Sequence, residues 1–185
     1  METLIAIHTR RSVGKVKPES VPQVIIEILL SAAVQAPNHY SVRPWRFVVL
    51  TGKSREKLGD VMAASQRDRF PDLPPEGSDK TRALPLRAPV VIAVGVEKAS
   101  DPRAVEIENI CAVAAACENI LLAAHDQGLA AKWRTGEWAI DAKVKEFLGF
   151  DADQLLLAFL YIGYMEVAPE PTGRPSFEDR TTWFE

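Results

Sequence analysis

The chain has 185 residues, a formal net charge of -3, 47% apolar residues and 25% charged residues. That length suits a single domain over residues 1–185, with a core large enough to fold without disulfides or metals. The slightly acidic total argues against nucleic acid as the main partner, since a nucleic-acid binder needs a dense basic face.

The elements follow in chain order. Residues 2–10 read as a short helix and 13–20 as a loop ending at Pro18. Residues 21–35 carry Val24, Ile25, Ile28, Leu29 and Ala32 at helical spacing, and Pro37 stops that helix. Residues 45–51 (WRFVVLT) read as a strand, and Ser54 as the cap of a helix over 55–68. The proline-rich stretch 70–85 reads as a mobile surface excursion, either a lid or a plain connection. Residues 89–96 (PVVIAVGV) form a continuous apolar run, the signature of a strand covered on both faces. Residues 105–127 predict the longest helix, about 34 Å at 1.5 Å per residue. It is Ala-rich and apolar on most sides, so it is expected to be buried on most sides. Gly128 ends it, a short strand follows at 129–133, a helix lies near 140–148, and the last strand is 155–163. The tail has no period, yet it carries Phe177, Trp183 and Phe184, so it is expected to pack on something, such as another subunit. The mixture of strands and helices makes the fold α+β or α/β.

No run of about 18 apolar residues predicts a membrane span. The opening METLIAIHTRRS lacks the order of a secretory signal, which makes the cytoplasm the expected location. Cys111 and Cys117 fall on different sides of one helix and cannot bridge each other. His8, His39 and His125 are far apart in sequence, and no local spacing predicts a metal site.

Phosphate-loop, dinucleotide and nucleophile-elbow motifs are absent. Four places carry candidate chemistry instead. Arg10-Arg11-Ser12 closes the first helix; its guanidinium forks suit a phosphate, and equally suit the negative end of a helix. Gln35 to Phe47 (QAPNHYSVRPWRF) packs Asn38, His39, Ser41 and Arg43 between stiffening prolines, either a ligand-binding loop or a self-satisfied turn. Trp133-Arg134-Thr135-Gly136 combines a flat ring, a cation and a glycine that permits close backbone approach, though a core tryptophan followed by a turn is the alternative. Arg174 lies in the tail, where a lone arginine is ordinarily solvated. Together these describe a receptor for a ligand with both a phosphate and a planar heterocycle.

Four segments in order along the chain resemble the flavin-dependent nitroreductase family, above all its short single-domain NAD(P)H nitroreductases. They are IHTRRSVGKV, APNHYSVRPWRFVVL, AKWRTGEW, and LLLAFLYIGY with PTGRPSFED. The resemblance implies an α+β fold: a central mixed or antiparallel sheet flanked by helices, with a long buried central helix. It also implies bound FMN and a homodimer with two interface sites and the tail 164–185 exchanged onto the partner. Carried over by residue, Arg10, Arg11, Ser12 and Arg174 would hold the phosphate and ribityl chain. Gln35, His39 and Ser41 would meet the flavin from the partner subunit, with Gln35 one turn before His39 and facing the same way. Trp133, Arg134 and Thr135 would line the isoalloxazine, with Gly136 close to N5. The chain departs from the family pattern at Asn38 and His39, where paired serines are usual, at Ser41, where asparagine is, and at Arg43, where glutamine is. Arg43 either tunes the flavin's charge or points outward.

The implied activity is a ping-pong exchange: NADH or NADPH reduces the flavin, then a nitroaromatic, quinone or similar small electrophile takes the electrons. The cofactor carries the hard chemistry, so no catalytic side chain is required. One alternative is an FMN-binding carrier or sensor without turnover; another is flavin-consuming or dehalogenating chemistry.

Overall fold

A computed structural model describes residues 1–98, 101–169 and 173–184. Four antiparallel strands, β1 (Trp45–Thr51), β2 (Val90–Val96), β3 (Leu129–Arg134) and β4 (Leu155–Tyr164), form one sheet in the order β1-β2-β4-β3. Trp45 pairs with Val96, Val90 with Ile162, and Leu129 with Tyr164. The expected mixed or antiparallel sheet is therefore wholly antiparallel in these strands. β2 is central and every one of its residues is buried, as its unbroken apolar run predicts.

Helices cover both faces. α1 (Thr3–Thr9), α2 (Gln23–Ala33) and α5 (Glu106–Asp126) lie on one side; α3 (Lys53–Arg69), α4 (Pro75–Arg82), α6 (Glu137–Ile140) and α7 (Ala142–Phe147) lie on the other. Strand alternation sends Val90, Ile92 and Val94 to the α2/α5 side and Val91 and Ala93 to the α3 side.

α5 runs along the first face and buries Ala112, Val113, Ala116, Cys117, Ile120, Leu121 and Ala124. Burial pushes the Cys117 thiol up to about 12, so it stays protonated and acts as a packing group. The N-terminal part of α5 is less covered: Ile107 is 61% exposed and Cys111 is exposed. From Ala112 to His125 every residue is buried or half-buried, so the helix is buried on most sides as expected, and its exposed residues are Glu106, Ile107, Cys111 and Asp126. Its length and composition alone would also pass for a membrane span, a match the sequence reading did not expect.

Three local expectations are corrected. The 70–85 stretch contains α4 and a 3-10 turn over Leu84–Arg87. Pro74 and Pro75 occupy the cap and first position of α4, where a missing N–H costs nothing, so they start a helix rather than prevent one. Ser54 lies inside α3, whose N-cap is Gly52, and its hydroxyl reaches back to the Thr51 backbone at 2.6 and 2.9 Å. The helix near 140–148 is two helices broken at Asp141, whose carboxylate accepts from the Val144 N–H at 3.0 Å and from the Ser65 hydroxyl at 2.5 Å.

α3 and α4 touch through Gly59. A Cβ there would stand 2.1 Å from the Arg82 carbonyl oxygen, a backbone atom that cannot step aside alone. Gly59→Ala gains about 1 kcal/mol of helix propensity, and the overpacking costs about 1–3 kcal/mol. The variant is expected to lower the urea midpoint without changing the slope, despite the better helix former.

Candidate functional site

The N-terminal arginines sit at the end of α1, beside the C-terminal half of α5. Arg10 is the C-cap of α1, and its Nε donates to Glu118 Oε1 at 3.1 Å. The Arg10 carbonyl accepts from Arg11 Nη1 at 2.9 Å and from Arg174 Nη2 at 3.2 Å. Three guanidiniums thus gather around residue 10, one of them brought from the far end of the chain. Like charges repel at this range, and Glu118 supplies a carboxylate to Arg10. An anion is the natural complement. A cavity of about 310 Å³ adjoins them, lined by His8–Arg11, Val13, Leu121, His125, Ala131 and Met165 among others. Thr9 Oγ1 and His125 Nε2, 2.8 Å apart, tie α1 to α5 at its edge.

Ser12 forms a parallel bridge with Ala131, and the Val13 N–H donates to the Ala131 carbonyl at 3.1 Å. The segment after the arginines is therefore stitched onto β3, whose last residue is Arg134. From Val13 a narrow cleft leads past Gly14 and Lys132 to Arg134 and Tyr161. A second cavity of about 250 Å³ shares Arg87, Arg134 and Tyr161 with it and is also lined by Thr135, Gly136 and Trp138 among others. Arg10 and Arg11 thus line one cavity and Arg134–Gly136 another, and the cleft between them shares Val13 with the first and Arg87, Arg134 and Tyr161 with the second.

Strand alternation separates Trp133 from its neighbours. Its indole packs into the α2/α5 core, while Lys132 and Arg134 face the other side of the sheet. Trp133 does not line the cavity with Arg134, as the sequence reading expected; it holds β3 against the core. The period of two exposes what that reading missed: Lys132 belongs with Arg134. Arg87, from the turn after α4, joins them. Arg134 lies 5.4 Å from the Tyr161 ring centroid, and neither Arg87, Lys132 nor Arg134 has an ion pair or hydrogen bond among the described residues. Burial pushes the Tyr161 phenol up, while the nearby Arg134 and Arg87 charges pull the other way. Gly136 has φ +100 and open space where a Cβ would stand, so its backbone is free for close approach.

Gln35, His39 and Ser41 lie elsewhere. α2 ends at Ala33, so Gln35 and His39 are not one helical turn apart, and Gln35 Nε2 instead donates to the Ser31 carbonyl at 3.3 Å. A 3-10 turn over His39–Ser41 follows, and Tyr40, Ser41 and Arg43 have φ of 51, 54 and 50. Non-glycine residues in this region store strain, of order 1–3 kcal/mol each. The turn is pinned where the Asn38 Oδ1 accepts from the Arg43 N–H at 2.9 Å. The Arg43 side chain is exposed, consistent with an outward-pointing residue. Arg46 turns to Glu97, at 3.5 Å, and to the Phe150 ring. His39 borders an open groove of about 500 Å³ floored by Ile107, Cys111, Ala112 and Ala115.

The His39 groove uses the N-terminal part of α5 and the arginine cavity its C-terminal part. Cys111 and His125 are about 21 Å apart along the helix axis. One chain therefore does not bring the two sets of candidate residues together.

The donor set fits a phosphorylated planar heterocycle: a three-guanidinium cluster at one end, unpaired cations and a bare glycine backbone at the other. A model of the nitroreductase family matches residues 7–164. The chain is 29% identical over 177 residues to YfhC of Bacillus subtilis, an assigned NAD(P)H nitroreductase, covering 95% of this chain and 91% of that protein. It is 27% identical to YdjA of Escherichia coli, with the same assignment, over 93% of this chain and 97% of the other. Among solved structures, the nitroreductase-like family protein from Bacillus cereus superposes with a TM-score of 0.85 at 27% identity, covering 100% and 97% of the two chains. An assigned nitroreductase from Desulfovibrio desulfuricans, solved in complex with FMN, gives 0.75 at 25% identity over 98% and 97%.

Proposed function

The chain belongs to the nitroreductase family, and from that premise we propose that it is an FMN-dependent oxidoreductase. It takes electrons from NADH or NADPH and reduces nitroaromatics, quinones or similar small electrophiles by a ping-pong mechanism. The observation that carries this reading is the meeting of Arg11 and Arg174 on the carbonyl of Arg10, a third arginine, beside one of three neighbouring cavities, the last of which is lined by Gly136.

FMN, when bound, supplies a hydride acceptor at N5 and a store for two electrons. The protein's residues do the rest. Arg10, Arg11 and Arg174 hold the phosphate by charge-assisted hydrogen bonds, with Ser12 contributing to the phosphate and ribityl end. Arg134, Lys132 and Arg87 offer positive charge to the electron-rich edge of the ring, where reduction adds negative charge. Thr135 and the open Gly136 backbone approach the ring from the same side.

The Gln35, His39 and Ser41 segment completes the site from a second copy of the chain. Two-fold pairing across α5 is the simplest way to bring one copy's His39 end to the other's arginine end. Leu4, Ile5, Val24, Ile28 and Ile107, on α1, α2 and α5, are all exposed in the single chain and supply an apolar face for such a pairing. Phe177, Trp183 and Phe184, at 63%, 80% and 95% exposure, give the tail three large side chains to lay on the partner.

Steady-state kinetics test the reaction order. With NADH or NADPH varied at several fixed concentrations of a para-benzoquinone, the double-reciprocal lines are expected to be parallel. Intersecting lines would mean that both substrates bind together and would contradict the ping-pong scheme.

A further inference from the structure

We propose that the electron acceptor is an aromatic electrophile bearing a carboxylate, and that Arg87, Arg134 and Tyr161 hold that carboxylate in the cavity beside Gly136. The proposal rests on the flavin oxidoreductase reading and adds to it a substrate class and a further binding residue, Tyr161.

Three cations and a phenol converge on the α3 side of the sheet. Lys132 stands directly across from Tyr161 in the β3–β4 register, and Arg134 across from Phe159, so strand alternation puts all four side chains on one face. Arg87 reaches them from the 3-10 turn that precedes β2. Lys132 and Arg134 are half-buried, yet none of the three cations has an ion pair or hydrogen bond among the described residues. A cation withdrawn from water without a partner costs free energy that a bound anion returns. Tyr161 is 8% exposed, and its hydroxyl likewise has no partner among the described residues. A phenylalanine would fill that space without burying a hydroxyl, so packing alone does not account for the residue. Burial keeps the phenol protonated against the pull of Arg134 and Arg87, so it donates a hydrogen bond rather than adding a negative charge.

The charges divide between two spaces. Lys132 lines the narrow cleft with Val13 and Gly14 but not the larger cavity. Arg87 and Arg134 line both, and so carry positive charge into the cavity of about 250 Å³. Glu137, which also lines the cavity, is tied to Arg69 at 3.1 Å. Met62, Leu84, Trp138 and Phe159 supply apolar walls. Apolar walls with a few convergent donors are what a flat ring bearing an acid group needs. A guanidinium meets a carboxylate with two parallel N–H bonds, a match that an unsubstituted quinone does not offer. Thr135 and Gly136 border the same cavity, so a ligand there adjoins the residues assigned to the flavin ring.

The test uses full-length, FMN-loaded protein in its oxidised form. Without a nicotinamide no acceptor is reduced, so calorimetric titration reads binding alone. Para-nitrobenzoate is expected to bind about tenfold more tightly than para-nitrobenzamide, its uncharged isostere. Arg87→Gln/Arg134→Gln is expected to weaken para-nitrobenzoate about 100-fold and to remove its preference over the amide. Tyr161→Phe keeps the packed ring and should weaken para-nitrobenzoate about tenfold at an unchanged thermal midpoint. Turnover with NADH or NADPH should rank the two compounds in the same order by kcat/KM. Equal binding of the two by the wild type, or a preference that survives in the arginine double variant, overturns the proposal. If the double variant loses FMN, an unchanged para-nitrobenzoate affinity in Tyr161→Phe overturns it instead. A preference in binding with none in kcat/KM overturns the substrate role. Failure of NADH and NADPH to bleach the wild-type flavin would overturn the flavin oxidoreductase reading and leave the titration standing on its own.

Discussion

The double variant Arg10→Ala/Arg174→Ala is expected to bind FMN about a thousandfold more weakly than the wild type. A hydrogen bond to a charged group contributes about 1.5–3 kcal/mol, and two such losses amount to about 4 kcal/mol, at about 1.4 kcal/mol per tenfold change. Neither guanidinium belongs to the sheet core, so the fold should survive. Arg174 is tied to the rest of the chain by a 3.2 Å bond to the Arg10 carbonyl, and Arg10 by one ion pair with Glu118. Fluorescence titration with FMN measures the loss, and the thermal midpoint checks the fold. Arg46→Ala provides the contrast: it removes a cation that faces Glu97 and Phe150, and it should leave FMN affinity unchanged.

Ile107→Glu is expected to convert the protein from a dimer to a monomer at micromolar concentration, and to strip it of FMN as well. In one chain Ile107 is 61% exposed, so a glutamate there meets water and the monomer loses little. In the proposed pairing the same carboxylate is buried twice, once in each copy, at a cost of several kcal/mol per unpaired ion. Light scattering reads the mass and absorbance reads the flavin. Loss of FMN together with the partner would show that the flavin site draws on both copies. A monomer that keeps its FMN would contradict the two-copy site.

Much of the architecture is legible because its signals are local. The 105–127 helix, the continuous strand over 89–96 and the stop at Gly128 follow from periodicity and chain-ending residues. The missed helix α4 has the opposite cause: Pro74 and Pro75 end some elements and begin others, and only the contact of Gly59 with Arg82 reveals which. The site divides in the same way. Arg10, Arg11 and Ser12 are visible as a run, and Arg174 joins them only through a contact between the two ends of the chain. Lys132 and Arg87 give no motif, although strand alternation pairs Lys132 with Arg134 once β3 is placed. That same alternation carries Trp133 away into the core. The expected alignment of Gln35 with His39 fails because α2 stops at Ala33, before the proline that seemed to end it. The pairing of His39 with Glu108 spans two segments that no spacing connects.

The most direct measurement is anaerobic reduction of the FMN-loaded protein. Adding NADH or NADPH without oxygen is expected to bleach the yellow flavin absorbance, and adding a para-benzoquinone should restore it with stoichiometric hydroquinone. A yellow protein that dithionite bleaches but neither nicotinamide does would contradict the account, and would make the chain a flavin binder without turnover.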